Sequence, residues 1–464
     1  MCKVKSILIV LFITNHFNHA TTENYEKQFT YEEGKVKEFI AGETKSFLKK
    51  LNEKRKEDKK EKEDKKEEIT IEQIRDDEKV TKENAILIDI LNNFSTTLQK
   101  QNEKRIEKIQ DTKIRNKKCC YKITTEAEKG IMFTSDTHAD ADTVEKIWYF
   151  FDQLKKQGKI DKLVFLGDYG DRGNYWTYTY FLLAAMAEKY GENIIFIRGN
   201  HEEIGMSYMV LCALEGNEEC ANNCWDEMPL ICEITWNQKK IFCSHGAMPL
   251  NKNGEWLEYE AYKNPDYQNK SYFLANWNDN IFINDPPSGI KNSHRGTGYE
   301  IPIEEIFQNM VNNEYDWSIH GHIHKNQCGI LTTEKQPKRV ITVVANEFYY
   351  NNSTDYPFLP AVYIINDKNL NGTFFNLLPE NDKIKKLDKE KSKNMKVLNN
   401  CVIYNYDFVL QKTKKKIKEF DQENQTNEEG QNNKVINQEN HNEKKEIGHN
   451  ILKTIYCCCD ICEK

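Results

Sequence analysis

Leu163-Val164-Phe165-Leu166-Gly167-Asp168-Tyr169-Gly170-Asp171-Arg172-Gly173 is an apolar tetrad running into a loop of glycines and charged residues. Four consecutive apolar residues cut off by glycine read as a short buried strand, and the loop carries oxygen donors just past its end. The same design recurs on both sides. Ile131-Met132-Phe133 leads into Ser135-Asp136-Thr137-His138, and Ile194 to Ile197 leads into Arg198-Gly199-Asn200-His201-Glu202. Ile241-Phe242-Cys243 leads into Ser244-His245-Gly246, and Ser318-Ile319 leads into His320-Gly321-His322-Ile323-His324. Between the first two loops Val144, Ile147, Trp148, Phe151 and Leu154 keep helical spacing. Strand, loop, helix, strand is the pattern of an α/β domain. In such sheets ligands gather at loops beyond the carboxyl ends of the strands.

Seven side chains on these loops are oxygen or imidazole donors: Asp136, His138, Asp168, Asn200, His245, His322 and His324. None is a thiolate, and a mixed N/O set suits Mn, Fe or Zn rather than a structural zinc cage. Seven donors exceed what one ion needs. They suit two divalent or trivalent ions sharing a carboxylate, about 3.5–4 Å apart, a pair that supplies Lewis acidity and acidified water. A lone histidine at a strand end is an ordinary structural residue, and a lone Gly-Asp is an ordinary turn. The ordered set of five loops is what points to a metal centre.

These loops resemble the calcineurin-like metallophosphoesterases, and within them the phosphoprotein phosphatase family of Ser/Thr phosphatases. Gly167 to Gly173 and Arg198 to Glu202 carry the strongest likeness. The resemblance covers 117–378 and implies an α/β fold, a β-sandwich flanked by helices, with two metal ions on the loops. It implies Asp136 and His138 on the first ion, Asp168 bridging, and Asn200, His245 and His322 on the second. His324, in Gly-His-x-His, is added from the wider superfamily, and His320 is left out. His201 becomes the general acid for the leaving alkoxide and Asp171 its orienting carboxylate. Arg172 and Arg295, with Asn200 and His201, become the phosphate-binding groups, the arginines through their planar forks. The sequence departs from the family pattern at Ser135 and Ala139, where the family has glycine, in the loop Val343 to Phe348, and in the cysteine-rich segment Cys212 to Cys232.

The flanks are different in texture. The apolar run Ser6 to Thr14 behind Lys3 and Lys5 reads as a signal peptide over 1–20, which implies the secretory pathway or secretion. An apolar first element of a cytoplasmic protein is the other reading, and a mature N-terminus at Thr21 would separate them. Residues 21–116 form a charged, low-complexity, partly helical extension. Between Lys49 and Glu68, 18 of 20 positions are charged with the signs interleaved, which suits a solvated helix or disorder. Leu87, Leu91, Phe94 and Leu98 make one apolar helix stripe for packing on the main domain or on another helix. Residues 379–464 read as a polar tail ending in Cys457, Cys458, Cys459 and Cys462.

Composition narrows the function further. With 66 basic and 73 acidic residues the net charge is −7, which gives no electrostatic footing for nucleic acid. No apolar run reaches the ~18–20 residues that span a bilayer. Fourteen cysteines would partly pair in an oxidising lumen, with a connectivity that spacing leaves open. The leading expectation is a metal-dependent phosphomonoesterase acting on phosphoserine or phosphothreonine in proteins, with a regulatory protein as a further partner of the charged flanks. Nucleotides or other small phosphate esters are the alternative substrates, and a non-catalytic pseudophosphatase scaffold is the alternative role.

Overall fold

The computed structural model describes residues 31–57, 68–76, 85–108, 120–125, 128–173, 175–203, 205–255, 277–281, 289–293, 295–323, 329–332, 338–345, 361–366, 369–377, 397–398 and 401–405. The segment 1–20 expected as a signal peptide, the terminal cysteine cluster and His324 lie outside them.

In chain order the elements begin with helices α1 (Glu33–Glu57), α2 (Ile71–Arg75) and α3 (Ala85–Lys108). Then come β1 (Cys120–Thr125), β2 (Gly130–Thr134), α4 (Ala141–Lys156), β3 (Ile160–Phe165), α5 (Trp176–Tyr190), β4 (Ile194–Phe196), α6 (Tyr208–Leu214) and α7 (Glu218–Trp225). The hairpin β5 (Ile231–Trp236) and β6 (Lys239–Ser244) follows, then β7 (Asp279–Ile281), β8 (Lys291–Asn292), β9 (Tyr299–Pro302) and α8 (Ile303–Asn312). The remaining strands are β10 (Trp317–His320), β11 (Gly329–Thr332), β12 (Arg339–Thr342), β13 (Ala361–Asn366), β14 (Asn369–Asn376), β15 (Val397–Leu398) and β16 (Cys401–Asn405).

The strands assemble into two main sheets, ordered β14-β13-β2-β3-β4 and β1-β5-β6-β10-β12-β11-β16-β15, and a small third sheet β7-β9-β8. β2, β3 and β4 are parallel neighbours joined through α4 and α5. Their apolar runs alternate between two buried faces, as a pleat of period two requires. Phe133, Val164, Leu166, Ile195 and Ile197 turn inward and meet Ile234, Trp236, Ile241, Ile319 and Ile341 of the larger sheet. Met132, Leu163, Phe165, Ile194 and Phe196 turn outward under the helices. This is the expected sandwich flanked by helices. β15 and β16 extend the larger sheet beyond residue 378.

α4 buries Val144, Ile147, Trp148 and Phe151, the residues whose spacing announces it, and Asp140 caps it by accepting the Thr143 N–H at 3.1 Å. The N-terminal segment is as firmly seated. Leu87, Leu91, Phe94 and Leu98 are all buried in the helical layer, and Phe94 meets Phe196 edge-on at 5.1 Å. Gln101 donates to the Ala187 carbonyl at 2.9 Å, and Phe47 of α1 packs 5.4 Å from Phe181 of α5. The helices before residue 117 therefore share one core with the sheet. Phe94→Ala should cost about 3–5 kcal/mol in a urea unfolding curve. A cost under about 1 kcal/mol would mean the extension is only loosely laid on the domain.

Candidate metal centre

The site forms where the loops after β2, β3, β4, β6 and β10 meet. Cross-loop backbone hydrogen bonds lace them together. Asp136 N–H donates to the Gly167 carbonyl at 3.0 Å, His138 N–H to Asp168 at 2.9 Å, and Gly321 N–H to His245 at 2.9 Å. Ala345, just past β12, donates to the Ser135 carbonyl at 2.9 Å and so borders the first loop. Turning this sharply puts six non-glycine residues in the left-handed region: Asp136, His138, Ala139, Asp168, Arg172 and His322. Each such residue costs about 1–2 kcal/mol. Ala139, at φ 57, shows why glycine suits that position. Left-handed residues gathered on loops that meet in one place are a pattern common at functional sites.

The side chains converge. His138 Nε2 lies 3.4 Å from Asp168 Oδ2 and 3.9 Å from Asp136 Oδ1. His245 Nε2 lies 3.2 Å from Asp168 Oδ1 and 2.9 Å from Asn200 Oδ1, and His322 Nδ1 lies 3.0 Å from Asn200 Oδ1. Donor atoms of His138, Asp168 and His201 fall within 4.8 Å of one another, as do those of Asp168, His245 and His322. Asp168 is common to both groups. Glycine makes this closeness feasible. A Cβ on Gly199 would stand 2.3 Å from Asp168 Oδ1, and one on Gly321 would stand 2.1 Å from Asp136 Oδ2.

The donor set fits metal ions. His245 Nδ1 faces the Leu166 carbonyl at 2.8 Å, so one proton sits there and Nε2 faces two oxygen acceptors, an arrangement that calls for a proton or a metal cation at Nε2. In the absence of metal a proton fills that role; a metal ion bound at Nε2 would displace it. The charge balance agrees. Burial opposes a charge on His245, yet Asp168, then Asp136 and Glu202, raise its pKa to about 9. Burial likewise opposes a charge on Asp168, yet His245, His201 and His138 hold it well below the usual carboxylate range. Asp136 and Asp168 are both buried, and buried carboxylates need compensating positive charge, whereas burial and then Asp168 raise the pKa of Glu202 to about 8.

His201 stands at the edge of the first group. Its Nδ1–H donates to Asp171 Oδ2 at 2.7 Å, which leaves neutral Nε2 to accept from Arg172 Nη2 at 2.8 Å. Arg172 is exposed, whereas His201 is 2% exposed. His320 is buried next to Gly321, and burial lowers its pKa to about 4. Arg295 does not touch the Asp168 cluster. Its Nε instead pairs with Asp279 Oδ2 at 3.2 Å.

Two residues without an assigned role emerge. Glu202 accepts from the backbone N–H groups of Asp168 and Gly199 through Oε2 and of Tyr169 through Oε1, at 2.8–2.9 Å. It thereby fastens the third loop to the second. Glu202→Ala would orphan three buried donors and should cost about 3 kcal/mol or more in thermal or urea unfolding. A neutral result would mean water replaces the carboxylate. Its place in the Gly-Asn-His-Glu run was its only visible signal. Asp279 had none.

Comparison with known proteins agrees with the geometry. Residues 130–326 match the family model described as calcineurin-like phosphoesterase. The chain is 28% identical over 160 residues to the serine/threonine-protein phosphatase 4 catalytic subunit of Kluyveromyces lactis, covering 31% of this chain and 51% of that one. It is 25% identical over 209 residues to serine/threonine-protein phosphatase BSL2 of Arabidopsis thaliana, covering 41% of this chain and 20% of that one. The chain thus spans about half of one of these relatives and a fifth of the other. A solved protein serine/threonine phosphatase of Saccharomyces cerevisiae, with similarity to human phosphatase PP5, superposes with a TM-score of 0.46 at 18% identity, over 64% of this chain and 91% of that one.

Proposed function

We propose that this protein is a metal-dependent phosphomonoesterase that removes phosphate from serine or threonine in proteins. The observation that carries the reading is Asp168, one carboxylate common to two buried donor groups, with the His201, Asp171 and Arg172 array beside it. Asp136, His138 and Asp168 would hold one ion, and Asp168, Asn200, His245 and His322 a second. The donor chemistry favours Mn, Fe or Zn. When bound, such ions supply Lewis acidity and acidified water.

The chain's own groups do the rest. Arg172 offers a planar, permanently charged fork to phosphate oxygens from an exposed position. His201, oriented by Asp171, sits beside that fork; once Arg172 turns from Nε2 to phosphate oxygens and Nε2 takes up a proton from solvent, the imidazolium can pass that proton to the departing oxygen. No described helix is long and apolar enough to cross a membrane. Purified full-length protein should release phosphate from phosphoserine and phosphothreonine peptides faster than from nucleotides. Turnover of nucleotides with peptides ignored would replace protein substrates by small phosphate esters. No turnover of either, with no metal bound, would leave a scaffold.

A further inference from the structure

Asp279 opens β7 in the small third sheet and is 4% exposed. Its Oδ2 accepts from Ser293 Oγ at 3.1 Å and from Arg295 Nε at 3.2 Å. Ser293 Oγ in turn accepts the Arg295 backbone N–H at 3.2 Å, so the arginine is held at both its backbone and its guanidinium. The other carboxylate oxygen, Oδ1, stands 3.6 Å from His322 Nε2. At that distance the contact is electrostatic. A carboxylate there favours a proton on Nε2 and leaves the Nδ1 lone pair, 3.0 Å from Asn200 Oδ1, turned toward the donor cluster. Carboxylates behind a metal-facing imidazole set its ring orientation and basicity.

We propose that Asp279 is a positioning residue that holds Arg295 and His322 in one frame. This rests on the metallophosphatase reading above. Arg295 then acts through a fixed arm instead of a mobile surface side chain. The third sheet serves to place its first residue between the metal centre and the phosphate-binding edge. A carboxylate shared in this way links the two: removing it loosens the imidazole and releases the guanidinium together.

The test uses full-length protein, wild type and Asp279→Asn, each first matched for thermal unfolding. Isothermal titration with Mn2+ alone should show affinity about 10–100-fold weaker in the variant. With p-nitrophenyl phosphate, Arg295→Ala should raise KM in the wild-type background and add little in the Asp279→Asn background. Should Asp279→Asn fail to fold, Ser293→Ala loosens the same carboxylate without removing charge and should produce a milder KM increase. Wild-type Mn2+ affinity in Asp279→Asn, together with an undiminished Arg295→Ala effect, would overturn the proposal while leaving an active wild type as a phosphatase. A wild type that binds Mn2+ but hydrolyses nothing would remove the phosphatase reading alone, because the titration needs no turnover.

Discussion

Asp168→Asn should abolish phosphate release and weaken binding of both metal ions, while the protein still folds. The carboxylate is 2% exposed and faces His138 at 3.4 Å from one oxygen and His245 at 3.2 Å from the other. An amide keeps one oxygen, which can still accept the His201 backbone N–H that Asp168 Oδ1 accepts at 3.0 Å. It loses the negative charge and one acceptor, so one of the two donor groups loses its shared oxygen. Replacing outer groups behind a ligand already costs 10–100-fold in metal affinity, so removal of a shared ligand should cost at least about 100-fold. Metal analysis and an unfolding curve on the same sample check both halves. Retention of two ions with activity intact would show that Asp168 is a structural acid.

His201→Ala should separate proton delivery from metal binding. The imidazole lies 4.0 Å from Asp168 Oδ2 but is held by Asp171 and Arg172. Its loss should slow turnover of a phosphoserine peptide by about 10²–10⁴ with the metal content unchanged. An aryl phosphate, whose leaving group needs no proton, should lose much less. Asp171→Asn should fall between the two, since it removes the orienting charge but not the ring. If His201→Ala loses metal instead, His201 is a ligand of the first group, a placement its 4.8 Å grouping with His138 and Asp168 also permits.

The loops were legible because each sits directly after an apolar run, and strand and ligand stand within a few residues of each other. Asp136, His138, Asp168, Asn200, His245 and His322 converge for that reason. The α4 positions Val144, Ile147, Trp148 and Phe151, and the stripe Leu87, Leu91, Phe94 and Leu98, were legible through helical period. What local pattern does not carry is closure between distant segments. Asp279 reaches the site through Ser293, Arg295 and His322, contacts that depend on the small sheet forming. Glu202 works by accepting backbone N–H groups from another loop, and such bonds leave no compositional trace. Arg295 was expected at the phosphate on a short motif, and its pairing with Asp279 is a contact that the motif did not announce.

Elemental analysis of full-length protein reconstituted with Mn2+ and freed of excess ion addresses the metal centre itself. Two ions per chain in the wild type, and fewer than one in Asp168→Asn, are the predicted counts. A correctly folded wild type that retains no ion would contradict the assignment of these loops to a two-metal site.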